Sequence, residues 1–269
     1  MSGGILGATL RRDRYIVAAA LLLITALAWA YLLQLAADMD MPGMDSAAMA
    51  AMMAPRAWAP ADFGLVLVMW VVMMIGMMTP SAAPMILLYA RVARQATAQG
   101  KRFAASAWFT SGYLLAWAGF SLAATVLQWQ LERLTLLSPM MTSTSSRFNG
   151  IVLIAIGVYQ WTPWKYACLA ACQAPLSFIQ RHGGFRPEAS RSLRMGLLHG
   201  AYCVACCWAL MALLLVGGVM NVLWIAAIAV LVLLEKALPV GRLIPRAVGV
   251  VCLGAGIFFL MTLPILHPA

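Results

Sequence analysis

MGLLHGAYCVACCWALMALLLVGGV, residues 195–219, runs without a single Asp, Glu, Lys or Arg. A helix needs about 20 apolar residues to cross the hydrocarbon core of a bilayer, so this run predicts a membrane-spanning helix. Yet it carries His199, Cys203, Cys206 and Cys207, groups that are costly where lipid replaces water.

The rest of the chain agrees with a membrane setting. Of 269 residues, 64 % are hydrophobic and only 10 % charged, whereas a soluble domain has about 25 % charged residues. Mean hydropathy is +0.90. The apolar runs do not alternate in segments of about ten residues, which excludes a transmembrane barrel. The expected fold class is all-α, a polytopic membrane helix bundle with about seven transmembrane helices. These fall at 15–37, 62–89, 103–129, from 148 to an interruption at Pro163, 195–219, 221–238 and 247–266. No small-residue cleavage site follows the first run, so it reads as a helix rather than a removed signal.

Basic residues orient the bundle. With the amino end cytoplasmic, all of the eighteen Lys and Arg except Arg56, Arg133 and Arg147 fall on the cytoplasmic side, as the positive-inside rule requires. A bacterial inner membrane is the expected location. The net charge of +10 then reports cytoplasmic loops facing lipid headgroups, not nucleic acid. Three regions follow: a first membrane helix at 1–37, a methionine-rich outer loop at 38–60, and a six-helix metal-binding membrane domain at 61–269. The basic segment 165–194 is expected at the cytoplasmic face.

At 100° per residue, His199, Cys203 and Cys206 lie within about 60° of one another, with Cys207 about 40° further round. One helix face thus presents an imidazole and up to three thiols, a ligand set suited to Cu+ or Zn2+. A single buried cysteine is ordinarily a small hydrophobe; three beside a histidine on one face point to a metal. Cys168 and Cys172, at i and i+4 after Pro163, share a face if that stretch is helical. Folded back against residues 199–207, they would complete a four-ligand site. The cytoplasmic side keeps thiols reduced, so a disulfide between them is not expected.

Methionines suggest a route. The outer loop holds Met39, Met41, Met44, Met49, Met52 and Met53 among Asp38, Asp40 and Asp45, and thioethers select Cu+ without needing deprotonation. Met73, Met77 and Met78 lie in the second span, which Pro80 and Pro84 are expected to break into a binding site. A stripe of Met at helical spacing is by itself core packing. Metal would pass from the outer loop through these methionines to the cysteines and His199, or in the reverse direction. Glu235 and Lys236 are expected to pair or to anchor at the membrane surface. His182 and His267 read as solvated residues. No phosphate loop, dinucleotide fingerprint or nucleophile triad is present, so catalysis is not expected.

The runs MMIGMMTPSAAPMILLYARV, YQWTPWKYACLAACQAP, RMGLLHGAYCVACCWALMALLLVGGVMN and LLEKALPVGR resemble a bacterial domain-of-unknown-function family, described as predicted metal-binding integral membrane proteins. The resemblance covers roughly residues 60–260. It implies metal binding and suggests copper handling, with Met73, Met77, Met78, Cys168, Cys172, His199, Cys203, Cys206 and Cys207 as the matching ligands. Ala205 stands where the family often has glycine, and Gln173 where it often has arginine; neither change removes a ligand.

The expected function is therefore copper trafficking or delivery in the membrane, with Cu+ as cargo, zinc as second choice, and a cuproenzyme or other membrane complex as partner. Two rivals are a membrane thiol-disulfide oxidoreductase centred on Cys203, Cys206 and Cys207, and an auxiliary structural subunit of a larger membrane complex. Cysteine alkylation separates the first two. A metal protein loses thiol reactivity on loading with Cu+, whereas a redox protein changes reactivity with reductant and not with copper.

Overall fold

The computed structural model describes residues 3–39, 58–100, 106–138, 141, 143–185, 187–238 and 242–262, with side chains in the first helix from Tyr15 to Asp38. Residues 40–57, which hold the rest of the outer-loop methionines, and His267 lie outside the described residues; Met39 ends the first helix. Among these residues there are nine helices and no strand. They are α1 (Gly3–Met39), α2 (Pro60–Ala98), α3 (Ser106–Arg133), α4 (Ser146–Gln160), α5 (Pro163–Gln173), α6 (Pro175–Arg181), α7 (Ala189–Gly217), α8 (Val222–Ala237) and α9 (Leu243–Met261).

Local chemistry sets most boundaries. Pro60 opens α2, where its missing N–H costs nothing, and the Asp62 carboxylate accepts the Ala59 N–H at 2.8 Å. The Ser145 hydroxyl accepts from Phe148 N–H at 3.3 Å and starts α4. Pro163 begins α5 after a two-residue break, with Thr162 Oγ1 accepting from Lys165 N–H. The interruption expected there is present. Asn221 caps α8 through the Trp224 N–H, and α7 ends at Gly218, whose φ of 91° suits glycine.

Among the described residues, five helices are long and apolar enough to cross a membrane: α1 over Tyr15–Asp38, α2, α3, α7 and α9. The seven spans expected are thus five by this measure. α4 has 15 residues and α8 has 16; at 1.5 Å each they reach roughly 22–24 Å, short of the ~30 Å hydrocarbon layer. The expected break in α2 is also absent, since that helix continues through Pro80 and Pro84. Each proline deletes one backbone donor, a loss that neighbours in a packed bundle offset. In that same turn the hydroxyls of Ser81 and Tyr113 both donate to the Met78 carbonyl.

α7 forms the axis of the bundle and is the most buried of the five spans. It packs on α3 along its length, and α5, α4 and α8 lie against its other sides. α2 covers α3 and α8, α1 lies outside α2, and α9 pairs with α4. α3 and α7 approach so closely at Gly196 that a Cβ there would overlap the Phe109 carbonyl. Small residues commonly allow such contact between membrane helices. Outward faces of α1 and α9 expose Leu22, Leu27, Val251 and Phe258, as lipid-facing surfaces do.

Gly196→Ala should destabilise the fold by about 3 kcal/mol, because backbone rather than a flexible side chain must move. Gly119, exposed on α3 with nothing near its missing Cβ, is the control: Gly119→Ala should stabilise by up to about 1 kcal/mol. Reversible unfolding in detergent micelles measures both.

Candidate metal centre

His199 and Cys203 occupy one face of α7 a turn apart, and Cys206 and Cys207 complete the next turn. All four are buried, none more than 2 % exposed. The segment after Pro163 lies against this face as α5 and delivers Cys172, whose Sγ is 3.9 Å from Cys206 Sγ. Cys206 Sγ is 3.2 Å from Cys207 Sγ and donates to the Cys203 carbonyl. The Cys203 thiol interacts with those of Cys172, Cys206 and Cys207. Two helices therefore bring four thiols into one cluster, and all are free rather than disulfide-bonded.

Four further helices tie to the cluster. The Tyr113 hydroxyl, from α3, lies 3.2 Å from Cys203 Sγ and donates to the Met78 carbonyl of α2 at 3.1 Å. Lys236, from α8, donates to Cys203 Sγ at 2.9 Å and to Ser81 Oγ at 3.1 Å. The Tyr159 hydroxyl of α4 donates to the Ala205 carbonyl, fixing the turn of α7 that carries the cysteines.

His199 is walled in by aromatic rings. Its ring centroid is 5.9 Å from Phe109, 5.9 Å from Tyr113 and 5.2 Å from Phe178. Its Nδ1 is buried with no hydrogen-bond partner. Leaving such an atom unsatisfied costs about 1–3 kcal/mol, so His199 is not an ordinary core histidine whose polar atoms are all paired.

Met73, Met77 and Met78 are buried in the core around α2, and the Met78 carbonyl accepts from Tyr113 and Ser81, whose hydroxyls meet Cys203 and Lys236. Cys168, one turn before Cys172, is half-buried against the core and makes no hydrogen bond to the four thiols. Among the described residues, no group of three or more His, Cys, Asp and Glu side chains is arranged to hold a metal as it stands. The thiols are engaged with one another and with the Lys236 ammonium. Even so, two sulfurs 3.9 Å apart subtend about 116° at an ion about 2.3 Å from each, an angle between tetrahedral and trigonal. The pair suits one closed-shell soft ion.

Sequence reasoning missed the parts played by Lys165, Tyr113 and Tyr159, and took Lys236 for an ion-pair partner or a surface anchor. The segment 165–194 is not a basic surface loop throughout: Lys165 is fully buried and meets Glu235 at 2.8 and 3.1 Å. Glu235 and Lys236 do not pair, because adjacent helix residues point about 100° apart. Glu235 turns to α5 and Lys236 turns to the thiols. A charged dipeptide inside the apolar run LLEKAL was the signal available. Gln173 Nε2 adds a hydrogen bond to the Glu235 carbonyl at 2.7 Å, a second tie from α5 to α8.

A family model described as PpoB2, copper chaperone, matches residues 67–259. No curated protein and no solved structure matches the chain.

Lys165→Met should leave Glu235 buried and uncompensated and cost about 3–5 kcal/mol. The double change Lys165→Met with Glu235→Leu should recover most of that loss. Unfolding in micelles across the four-member cycle checks both; equal losses in the single and double variants would exclude the ion pair as their cause.

Proposed function

The chain belongs to the PpoB2 copper chaperone family, and from that premise we propose that it is a membrane copper chaperone holding Cu+ on the clustered thiols of α5 and α7. The observation that carries this is the meeting of Cys172 with Cys206 beside Cys203 and Cys207. Soft thiolate sulfur prefers Cu+ to harder ions, with Zn2+ the second choice. His199, buried with an unpaired Nδ1, supplies a nitrogen donor at the edge of the cluster.

Lys236 neutralises sulfur charge in the copper-free state. When Cys203 turns to copper, the ammonium keeps its bond to Ser81 Oγ, so neither partner is stranded. Buried Met73, Met77 and Met78 line the approach from the opposite end of α2, and Cys168 waits one turn from Cys172. The outer methionine loop at 38–60 collects copper, and residues 61–269 form the copper unit. Seven crossings suit this topology: α4 and α5 together make one crossing and the short α8 another, the bilayer thinning to match. The amino end then lies in the cytoplasm of a bacterium, with copper handed on to a cuproenzyme or its assembly complex.

Full-length protein without a histidine tag, loaded with Cu+ and freed of excess, should retain about one copper with sulfur neighbours in X-ray absorption. Cys172→Ser or Cys206→Ser should weaken retention against a competing chelator at least tenfold. Less than about 0.2 equivalents of copper and zinc together in the wild-type protein would sink the proposal.

A further inference from the structure

Beyond the thiol cluster, the start of α7 borders a second chemically distinct space. A cavity of about 190 Å3 opens between the turn after α6 and the first turns of α7, lined by His182, Gly183, Gly184, Arg191, Arg194 and Met195 among others. Met195 is four residues before His199, which is four before Cys203. Met195 sulfur, His199 imidazole and the cysteine thiols therefore form one row along α7, each step about 6 Å. The row begins at the cavity and ends in the cluster.

His182 faces this row as a poised ligand. Its Nδ1 lies 2.8 Å from the Phe178 carbonyl; a carbonyl only accepts, so Nδ1 carries the proton and Nε2 keeps its lone pair. That is the arrangement by which proteins prepare histidine for a metal. Phe178 walls the passage, its ring 4.4 Å from His182 and 5.2 Å from His199. Deeper in, His199 Nδ1 is a buried donor atom with no other partner.

The charge at the mouth selects the form in which copper arrives. Arg191 shares its charge with Glu188, and Arg194 has no carboxylate partner among the described residues. A basic rim repels free Cu+ but attracts Cu+ held by two thiolates, a complex with net negative charge.

Resting on the copper-chaperone reading, we infer that this cavity is the exchange port of the cluster, at which a small anionic Cu+–thiolate complex trades copper with His182 and Met195. The step is ligand exchange without redox change. A bond from copper to His182 Nε2 or Met195 sulfur forms as a bond to a carrier sulfur breaks. Copper then passes to His199 and on to the thiols. Each cluster thiol that binds as thiolate gives its proton to a departing carrier thiolate.

Stopped-flow copper uptake by the full-length protein in micelles tests this with two probes: Cu+ bound by glutathione, which is anionic, and Cu+ in acetonitrile, which is cationic. Arg191→Gln with Arg194→Gln should slow uptake from glutathione about tenfold and should not slow uptake from acetonitrile. His182→Gln and the near-isosteric Met195→Leu should each slow uptake from both by several-fold. Wild-type rates in all of these variants would overturn the port while leaving the cluster standing. A wild-type protein that takes copper from neither probe would instead overturn the chaperone reading itself.

Discussion

A fully buried ammonium has to meet a counter-charge, and much of this bundle is arranged around that requirement. Lys165 has no access to solvent and, among the described residues, is neutralised only by Glu235, 70 residues later. Removing either ion from water costs several kcal/mol, so the pair tolerates little displacement. Because Lys165 sits at the start of α5 and Glu235 near the end of α8, the bond fastens these two short helices together beside α7. Cys172 is two turns beyond Lys165 on α5, and Lys236 directly follows Glu235 on α8. Fixing the ion pair therefore fixes a thiol against Cys206 and an ammonium against Cys203.

The cluster that results is soft in its donors and guarded in its electrostatics. Four thiols gathered in a low-dielectric interior would repel one another if ionised together. Lys236 supplies opposite charge, Tyr113 bridges Cys203 to the backbone of α2, and the Tyr159 bond holds the α7 turn. Six helices thus contribute to a space that a single helix face could only suggest. The same feature explains why, among the described residues, the grouping is not set for a metal as it stands: the side chains satisfy each other.

Where sequence reasoning succeeded, one strong local rule governed the outcome. Length and apolarity made α2, α3 and α7 legible, Pro163 ended α4 through its missing donor, and the 100° helical period put His199 and the cysteines on one face. It failed where partners far apart in the chain decide. Pro80 and Pro84 looked like breaks, yet the surrounding helices hold α2 intact. Lys165 looked like a cytoplasmic charge and Lys236 like an anchor, because a lysine near a helix end is usually solvated. His182 looked like a loop residue, and only the fold of α6 shows its carbonyl partner. α4 and α8 are shorter than the apolar stretches that mark them, because hydropathy shows where an apolar stretch lies better than where its helix stops.

The Lys165–Glu235 bond also has a consequence for biogenesis. Membrane proteins are made and inserted from the amino end, so α5 leaves the ribosome well before α8 exists. A lone buried lysine is disfavoured by several kcal/mol, so α5 gains its buried place only when its carboxylate arrives. α5 docks late, and Cys172 reaches Cys206 only then. A nascent or truncated chain therefore lacks the complete thiol set, which assembles only once the whole bundle has closed around it.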